Sequence, residues 1–289
     1  LYSVKEYEDK FKMYELRDES TNSWVKVCPE RGAMITSYGV HGTELLYLDK
    51  HTFYDEKANI RGGIPILFPI SGQLEQGKYE LDGTVYTMKN HGVARINPWE
   101  VIGTSSEDNA SIKLRLMSSE ESEKSYPFKF ELVFTYKLKD GKLAIEQEYH
   151  NKSQKSMPLY AGFHPYFEAK GKNISYETDS SKYQDYNDMV VKEYIGSLDL
   201  THMVESAIFL DSRQSHTAFK LPELNRRILL EYGDEFKYIV VWSVKDKDFV
   251  CVEPWMAKNK AFNTKEDLQY IEGGKCLKTY FTISADFEV

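Results

Sequence analysis

Phe128-Lys-Phe-Glu-Leu-Val-Phe-Thr-Tyr-Lys-Leu-Lys-Asp-Gly-Lys-Leu-Ala-Ile-Glu-Gln-Glu-Tyr149 alternates apolar and polar residues on both sides of Asp140-Gly141. Phe128, Phe130, Leu132, Phe134, Tyr136 and Leu138 fall on one face of an extended chain, because side chains of a strand point to opposite faces in turn. Asp-Gly suits the two positive φ angles of a tight hairpin turn, and Leu143, Ile145, Gln147 and Tyr149 restart the alternation beyond it. The stretch therefore reads as a long antiparallel pair with one face on a core.

The pattern recurs outward from this hairpin. Tyr79-Glu-Leu81 and Thr84-Val-Tyr86 flank Asp82-Gly83, and strands are expected at Ile112/Leu114/Leu116, Ile228/Leu230/Tyr232 and Tyr238/Val240/Trp242/Val244. A final strand alternates through Phe281, Ile283, Ala285, Phe287 and Val289. Helical signal is weak, its best case being Thr264 as a cap before Lys265-Glu-Asp-Leu-Gln. No fixed-period repeat suggests a propeller or solenoid. The expectation is an all-β sandwich of large antiparallel sheets.

Composition bounds what such a fold does. The 289 residues contain no Pro/Gly/Ser-rich linker, so a single domain over 1–289 is expected, and 21 Tyr with 15 Phe supply both a core and an aromatic-lined cleft. A net charge of −8 argues against nucleic acid, whose binding draws on clustered Lys and Arg. No stretch approaches the roughly 20 apolar residues that span a bilayer, and Leu1-Tyr-Ser-Val-Lys-Glu-Tyr lacks the charged start and apolar middle of a signal peptide. The sequons at Asn151 and Asn173 are discounted as chance occurrences. Cys28, Cys251 and Cys276 are odd in number and show no C-x-x-C spacing, which points to a reducing, cytoplasmic setting.

Chemistry concentrates in three stiff, aromatic-rich islands. Ala161-Gly-Phe-His-Pro-Tyr-Phe167 holds His164 beside Pro165, where an imidazole titrating near neutral pH suits proton transfer, although a core histidine bonded to a backbone carbonyl fits the same pattern. Val252-Glu-Pro-Trp255 puts Glu253 at the end of an apolar run that should raise its proton affinity; the alternative is a solvated strand-end glutamate. Arg61-Gly-Gly-Ile-Pro-Ile-Leu-Phe-Pro69 leads to His91-Gly-Val-Ala-Arg95, whose glycines permit close approach of the backbone to a ligand, with Arg61 and Arg95 as planar donors. The seven histidines show neither H-x-H nor H-E-x-x-H spacing, so no metal site is expected. No P-loop, G-x-G-x-x-G turn or G-x-S-x-G elbow appears, so no cofactor is expected either.

Arg61-Gly-Gly-Ile-Pro-Ile-Leu-Phe-Pro-Ile-Ser-Gly72, His91-Gly-Val-Ala-Arg-Ile-Asn-Pro-Trp99, Ala161-Gly-Phe-His-Pro-Tyr-Phe167 and Glu253-Pro-Trp255 resemble, in order, the aldose 1-epimerase (galactose mutarotase-like) family in its LacX-like and hexose-6-phosphate mutarotase-like branch. The resemblance implies a galactose mutarotase-like β-supersandwich that interconverts α and β anomers of a hexose without a cofactor. It implies Glu253 as the base at the C1 hydroxyl, His164 as the acid at the ring oxygen, His91 as a second histidine near that oxygen, and Arg61 as a hydroxyl-binding cation. Asp211, or equally Asp199, would match the sugar-binding carboxylate.

The residues after His164 and Glu253 differ from those of authentic galactose mutarotases. Arg95 beside Arg61 resembles the paired arginines by which the hexose-6-phosphate branch holds a phosphate. The expected partner is thus a monosaccharide or sugar phosphate, and the chain is expected to be a monomer or weak homodimer. Two rival readings stay open: a non-catalytic carbohydrate-binding or sensing protein, and a glycoside hydrolase or lyase on the same sandwich. The latter requires a second well-placed catalytic carboxylate or an extended groove, and neither is read in the sequence.

Overall fold

The computed structural model describes residues 1–287. Phe130–Lys139 and Lys142–Asn151 pair antiparallel, and Asp140 and Gly141 take φ values of 51° and 75°, the mirror-image turn expected from their sequence. Phe128 is buried but precedes the strand proper.

This hairpin is the middle of an eight-stranded antiparallel sheet. Cys276–Phe287 adds to Lys142–Asn151, followed by Arg226–Tyr232, His216–Leu221 and Tyr176–Glu177, while Ala110–Met117 and Glu100–Ser105 extend the other side. The last strand buries Phe281, Ile283 and Ala285 as expected, but Phe287 at its end is exposed; Glu288 and Val289 lie outside the described residues.

A second sheet faces it. Its centre is Phe249–Trp255, bordered on one side by Tyr238–Trp242, Ala207–Phe209, Lys182–Asp185 and Val190–Glu193. Gly162–Phe163, Ile66–Leu67 and Tyr166–Glu168 border it on the other. Between the sheets, Phe163 packs against Phe281 at 5.1 Å and Phe134 at 6.1 Å between ring centroids, and Phe68 against Phe130 at 4.9 Å. Such aromatic contacts add to the burial term that drives collapse.

An amino-terminal antiparallel sheet of Tyr2–Glu8, Lys12–Asp18, Ser23–Cys28, Met34–Val40 and Thr43–Glu44 is stitched to the large sheet by buried polar contacts. Tyr38 donates to the carbonyls of Gly141 and Ile283, and Tyr136 donates to that of Ala33.

Two expectations shift. Tyr238–Trp242 ends short of Val244, and Thr264 closes the four-residue helix Ala261–Thr264 instead of opening one. Lys260 and Lys265 both take left-handed φ angles, which stops a helix at either end, and the Thr264 hydroxyl accepts from the Glu266 N–H in a turn.

Phe163 is fully buried between the sheets, so Phe163→Ala should cost about 3–5 kcal/mol of unfolding free energy, as large aromatic truncations in cores do. Urea titration followed by circular dichroism measures this, and a cost below about 1 kcal/mol would mean that the inter-sheet core is not organised around this ring.

Candidate active site

The second sheet has a core face and a cleft face, and its central strand serves both. Val250 and Val252 join the main core, while Cys251, Glu253 and Trp255 project to the opposite side, where Glu253 and Trp255 line a cavity of about 340 Å³. Neighbouring strands follow the same rule: Phe163 faces the core and His164 the cavity, as Val241 faces the core and Val240 and Trp242 the cavity.

Burial on both faces leaves Glu253 only 1% exposed. Its Oε2 accepts from the Trp255 indole N–H at 2.9 Å, and its Oε1 lies 3.4 Å from His164 Nε2. Removal from water pushes the Glu253 carboxyl well above its ordinary range, against the opposing pull of the Trp255 hydrogen bond.

His164 is 8% exposed, stacks on Tyr166 at 4.8 Å and meets the edge of Trp242 at 5.8 Å. Its Nδ1 is buried without a hydrogen-bond partner. The expectation that this imidazole titrates near neutrality does not hold in this cleft. Burial first, then the positive charges of Arg95 and Arg61, lower it to about 3, so the ring is neutral. Desolvation thus disfavours charge on both His164 and Glu253.

His91 reaches the cleft from a loop and is fixed by a reciprocal contact. The His91 N–H donates to the Gly72 carbonyl at 2.7 Å, and the Gly72 N–H donates to His91 Nδ1 at 3.0 Å. A ring nitrogen that accepts carries no proton, so His91 is neutral with its proton on Nε2. Burial, followed by the neighbouring His164 and Arg95, keeps its pKa well below the usual value. The two imidazoles meet edge to face at 5.3 Å. Gly72 is required here: its φ is +74°, and a Cβ would lie 1.8 Å from Asn259 Oδ1 and 2.9 Å from the Trp255 ring.

Arg61 and Arg95 both line the cavity. The Arg61 backbone N–H donates to the Thr52 hydroxyl on the short helix Lys50–Tyr54, which Asp49 caps, and its guanidinium lies over the Trp242 ring at 5.1 Å. Arg95 donates through Nη2 to the Asn90 carbonyl at 3.1 Å, and its Nε is buried unpaired. Neither arginine forms an ion pair with a carboxylate among the described residues.

Asp211 is not brought to this site. Burial nudges its carboxyl upward, but Ser180, both donors of Ser181 and the Lys182 N–H outweigh that and hold it well below the usual range. It orders a loop and is absent from the cavity lining. Asp199 likewise is occupied by Thr201. The second carboxylate at the cleft is Glu205, joined by Asn59, Gln73, Asn90 and Asn259. Exposed loop amides and a loop glutamate carry no sequence signal, whereas Trp242 stood in the alternation of its strand.

The two sheets, with a cleft holding His164 and Glu253 on the outer face of one, define a galactose mutarotase-like supersandwich. Residues 12–275 match the family model described as aldose 1-epimerase, and the chain belongs to that family. The Slr1438 protein from Synechocystis sp. PCC 6803 superimposes with a TM-score of 0.94 over 100% of both chains at 35% identity. A galactose mutarotase related enzyme from Lactobacillus acidophilus gives 0.77 over 99% of this chain and 98% of its own at 20% identity, a likeness of fold. Among curated proteins, a candidate glucose-6-phosphate 1-epimerase of Salmonella typhimurium is 30% identical over 136 residues, 46% of this chain and 42% of its own length. The match thus spans about two fifths of that relative. One from Cenchrus ciliaris is 25% identical over 83% of this chain and 70% of its own.

The raised pKa of Glu253 makes a stability prediction. Below its ordinary value of 4.5 the carboxyl is protonated whether folded or unfolded; as pH rises through and beyond that value the unfolded chain ionises first, so the group's contribution is lost toward its raised native pKa. Glu253→Gln removes that loss. Urea unfolding between pH 4 and pH 8 should show the variant gaining stability relative to wild type as pH rises, and a pH-independent difference would mean that the carboxylate is hydrated in the native cleft.

Proposed function

We propose that the protein is a cofactor-independent aldose 1-epimerase that interconverts the anomers of a hexose by opening and reclosing its pyranose ring. The observation that carries this reading is the 3.4 Å contact between His164 Nε2 and Glu253 Oε1 at the floor of a monosaccharide-sized cleft. Glu253 accepts the proton of the C1 hydroxyl as the bond from C1 to the ring oxygen breaks, and His164 delivers a proton to that oxygen. The open aldehyde turns about C1–C2, and the same transfers in reverse close the ring on either face. His91 Nε2–H is a fixed donor on the same side as His164, suited to the oxygen on which charge develops.

The resting neutral pair and the reactive ion pair differ by one proton moved from Glu253 to His164 across their contact. A dry cleft favours the first. Sugar hydroxyls that solvate the carboxylate favour the second. A phosphoryl dianion held by Arg61 and Arg95 favours it more strongly, because it cancels the positive charge that depresses His164. The two guanidiniums without carboxylate partners therefore support a hexose 6-phosphate over the free sugar, as do the names of the curated relatives. Two fully buried thiols, Cys28 and Cys251, suit a reducing cytoplasmic setting.

Glu253→Gln and His164→Asn should each lower kcat by about 10²-fold or more while sugar binding persists, measured by polarimetry or NMR saturation exchange between anomers. Wild-type turnover in either variant removes that residue from the reaction, and sugar binding by wild type without any anomer exchange would make the protein a binder instead.

Arg95→Ala should weaken glucose 6-phosphate by about 1.5–3 kcal/mol, the worth of a charge-assisted contact, and leave glucose nearly unchanged in competition binding. Equal losses for both ligands would favour the free hexose.

A further inference from the structure

On the outer face of the eight-stranded sheet, away from the cleft, strand register assembles a second cluster. Tyr149 turns inward to the core and Leu277 packs against it, so Glu148 and His150 on one strand and Cys276 on the next point outward. His150 and Cys276 are direct cross-strand partners, and Glu148 lies one same-face step along from His150.

The three side chains converge on one point. Glu148 Oε2 is 2.8 Å and Cys276 Sγ 3.7 Å from the same nitrogen, His150 Nε2, and all three donor atoms lie within 4.8 Å of one another. A proton relay would need carboxylate and thiol on opposite ring nitrogens. Convergence on one nitrogen is instead the arrangement of ligands around a cation. A tetrahedral ion with bonds of about 2.0 Å to nitrogen and 2.3 Å to sulfur holds those atoms about 3.5 Å apart. The thiol already stands near that separation, and a small rotation of Glu148 opens the shorter edge. Lys278 approaches the other Glu148 oxygen, Oε1, at 3.6 Å and does not engage Oε2, whose contact with His150 an entering ion replaces.

We propose that Glu148, His150 and Cys276 form a binding site for a thiophilic divalent cation, Zn²⁺ above all, with water completing the coordination. Thiolate, imidazole and carboxylate together are the donor set that Zn²⁺ takes, and hard cations such as Mg²⁺ do not compete for sulfur. His150 and Glu148 are partly exposed, so an ion reaches them from solvent. Cys28 and Cys251 are buried, which leaves Cys276 as the accessible thiol of the three. Binding expels the thiol proton, shifts the proton between His150 Nε2 and Glu148 Oε2 to Nδ1 or to solvent, forms the metal–sulfur bond and clamps two central strands at the end of their ladder.

Cobalt(II) titration of the chelator-treated full chain tests this, because a cobalt–thiolate bond gives a charge-transfer band in the near ultraviolet. A single equivalent of Co²⁺ should produce the band and Zn²⁺ should abolish it. Cys276→Ser and His150→Ala should lose it, and Glu148→Gln should bind more weakly. Saturating Zn²⁺ should raise the melting temperature of wild type and leave that of Cys276→Ser unmoved.

His164, Cys251 and Glu253 also bring three donors together beneath the cleft, so Cys251→Ala is the control. A band that survives in Cys276→Ser, or disappears in a folded Cys251→Ala, overturns the proposal and moves the ion to the cleft. The absence of any thiolate band in wild type overturns it outright.

Discussion

A carboxyl group in the middle of a sheet, with hydrophobic strands on either side and an aromatic cleft above it, is a poor place for charge. The chain keeps Glu253 there because Phe249–Trp255 is covered on both faces: alternate residues serve the inter-sheet core and the cleft floor. Every other group of the site is placed relative to this strand. His164 arrives on the neighbouring Gly162–Phe163 side, Trp242 on the opposite neighbour, and His91 through the Gly72 loop that packs on Trp255. Losing dryness at this strand would relax Glu253 toward an ordinary surface carboxylate.

Dryness also sets the resting state. Desolvation presses Glu253 toward the protonated form and His164 toward the neutral one, so charge is disfavoured at the cleft floor, while two guanidiniums stand at its wall. The energy needed to create the reactive ion pair then comes from the ligand that solvates it. In the reaction proposed above, such coupling makes turnover conditional on a correctly seated sugar.

Much of this was legible from residues alone, for a definite reason. Strands with one face in water must alternate, so Phe130–Lys139, Lys142–Asn151 and the part of Cys276–Phe287 from Phe281 onward announced themselves, and Asp140-Gly141 fixed the turn between the first two. The islands around Arg61, His91, His164 and Glu253 stood out because glycine, proline and aromatics surround a polar group, and the structure gathers all four at one cavity. Asp211 misled because a carboxylate that organises a serine-rich turn looks in sequence like one that binds a ligand. The protonation of His164 was hidden because it depends first on burial, which only the fold creates, and then on guanidiniums 69 and 103 residues distant in the chain. Glu148, His150 and Cys276 were invisible as a set because metal-ligand spacings describe one segment, whereas these residues meet through the pairing of two strands far apart in sequence.

The division of the cleft into a rigid floor and polar loops bears on how such a protein changes its diet. Glu253 and Trp255 belong to one buried strand, while Asn59, Gln73, Glu205 and Asn259 stand on connections at its rim. For the proposed epimerase, mutations at the rim would trade one sugar for another without unsettling the proton transfers assigned to the strand below. Descendants of one ancestor can diverge in substrate while sharing a reaction, and libraries that aim at new sugars belong on those connections, with the strand left alone.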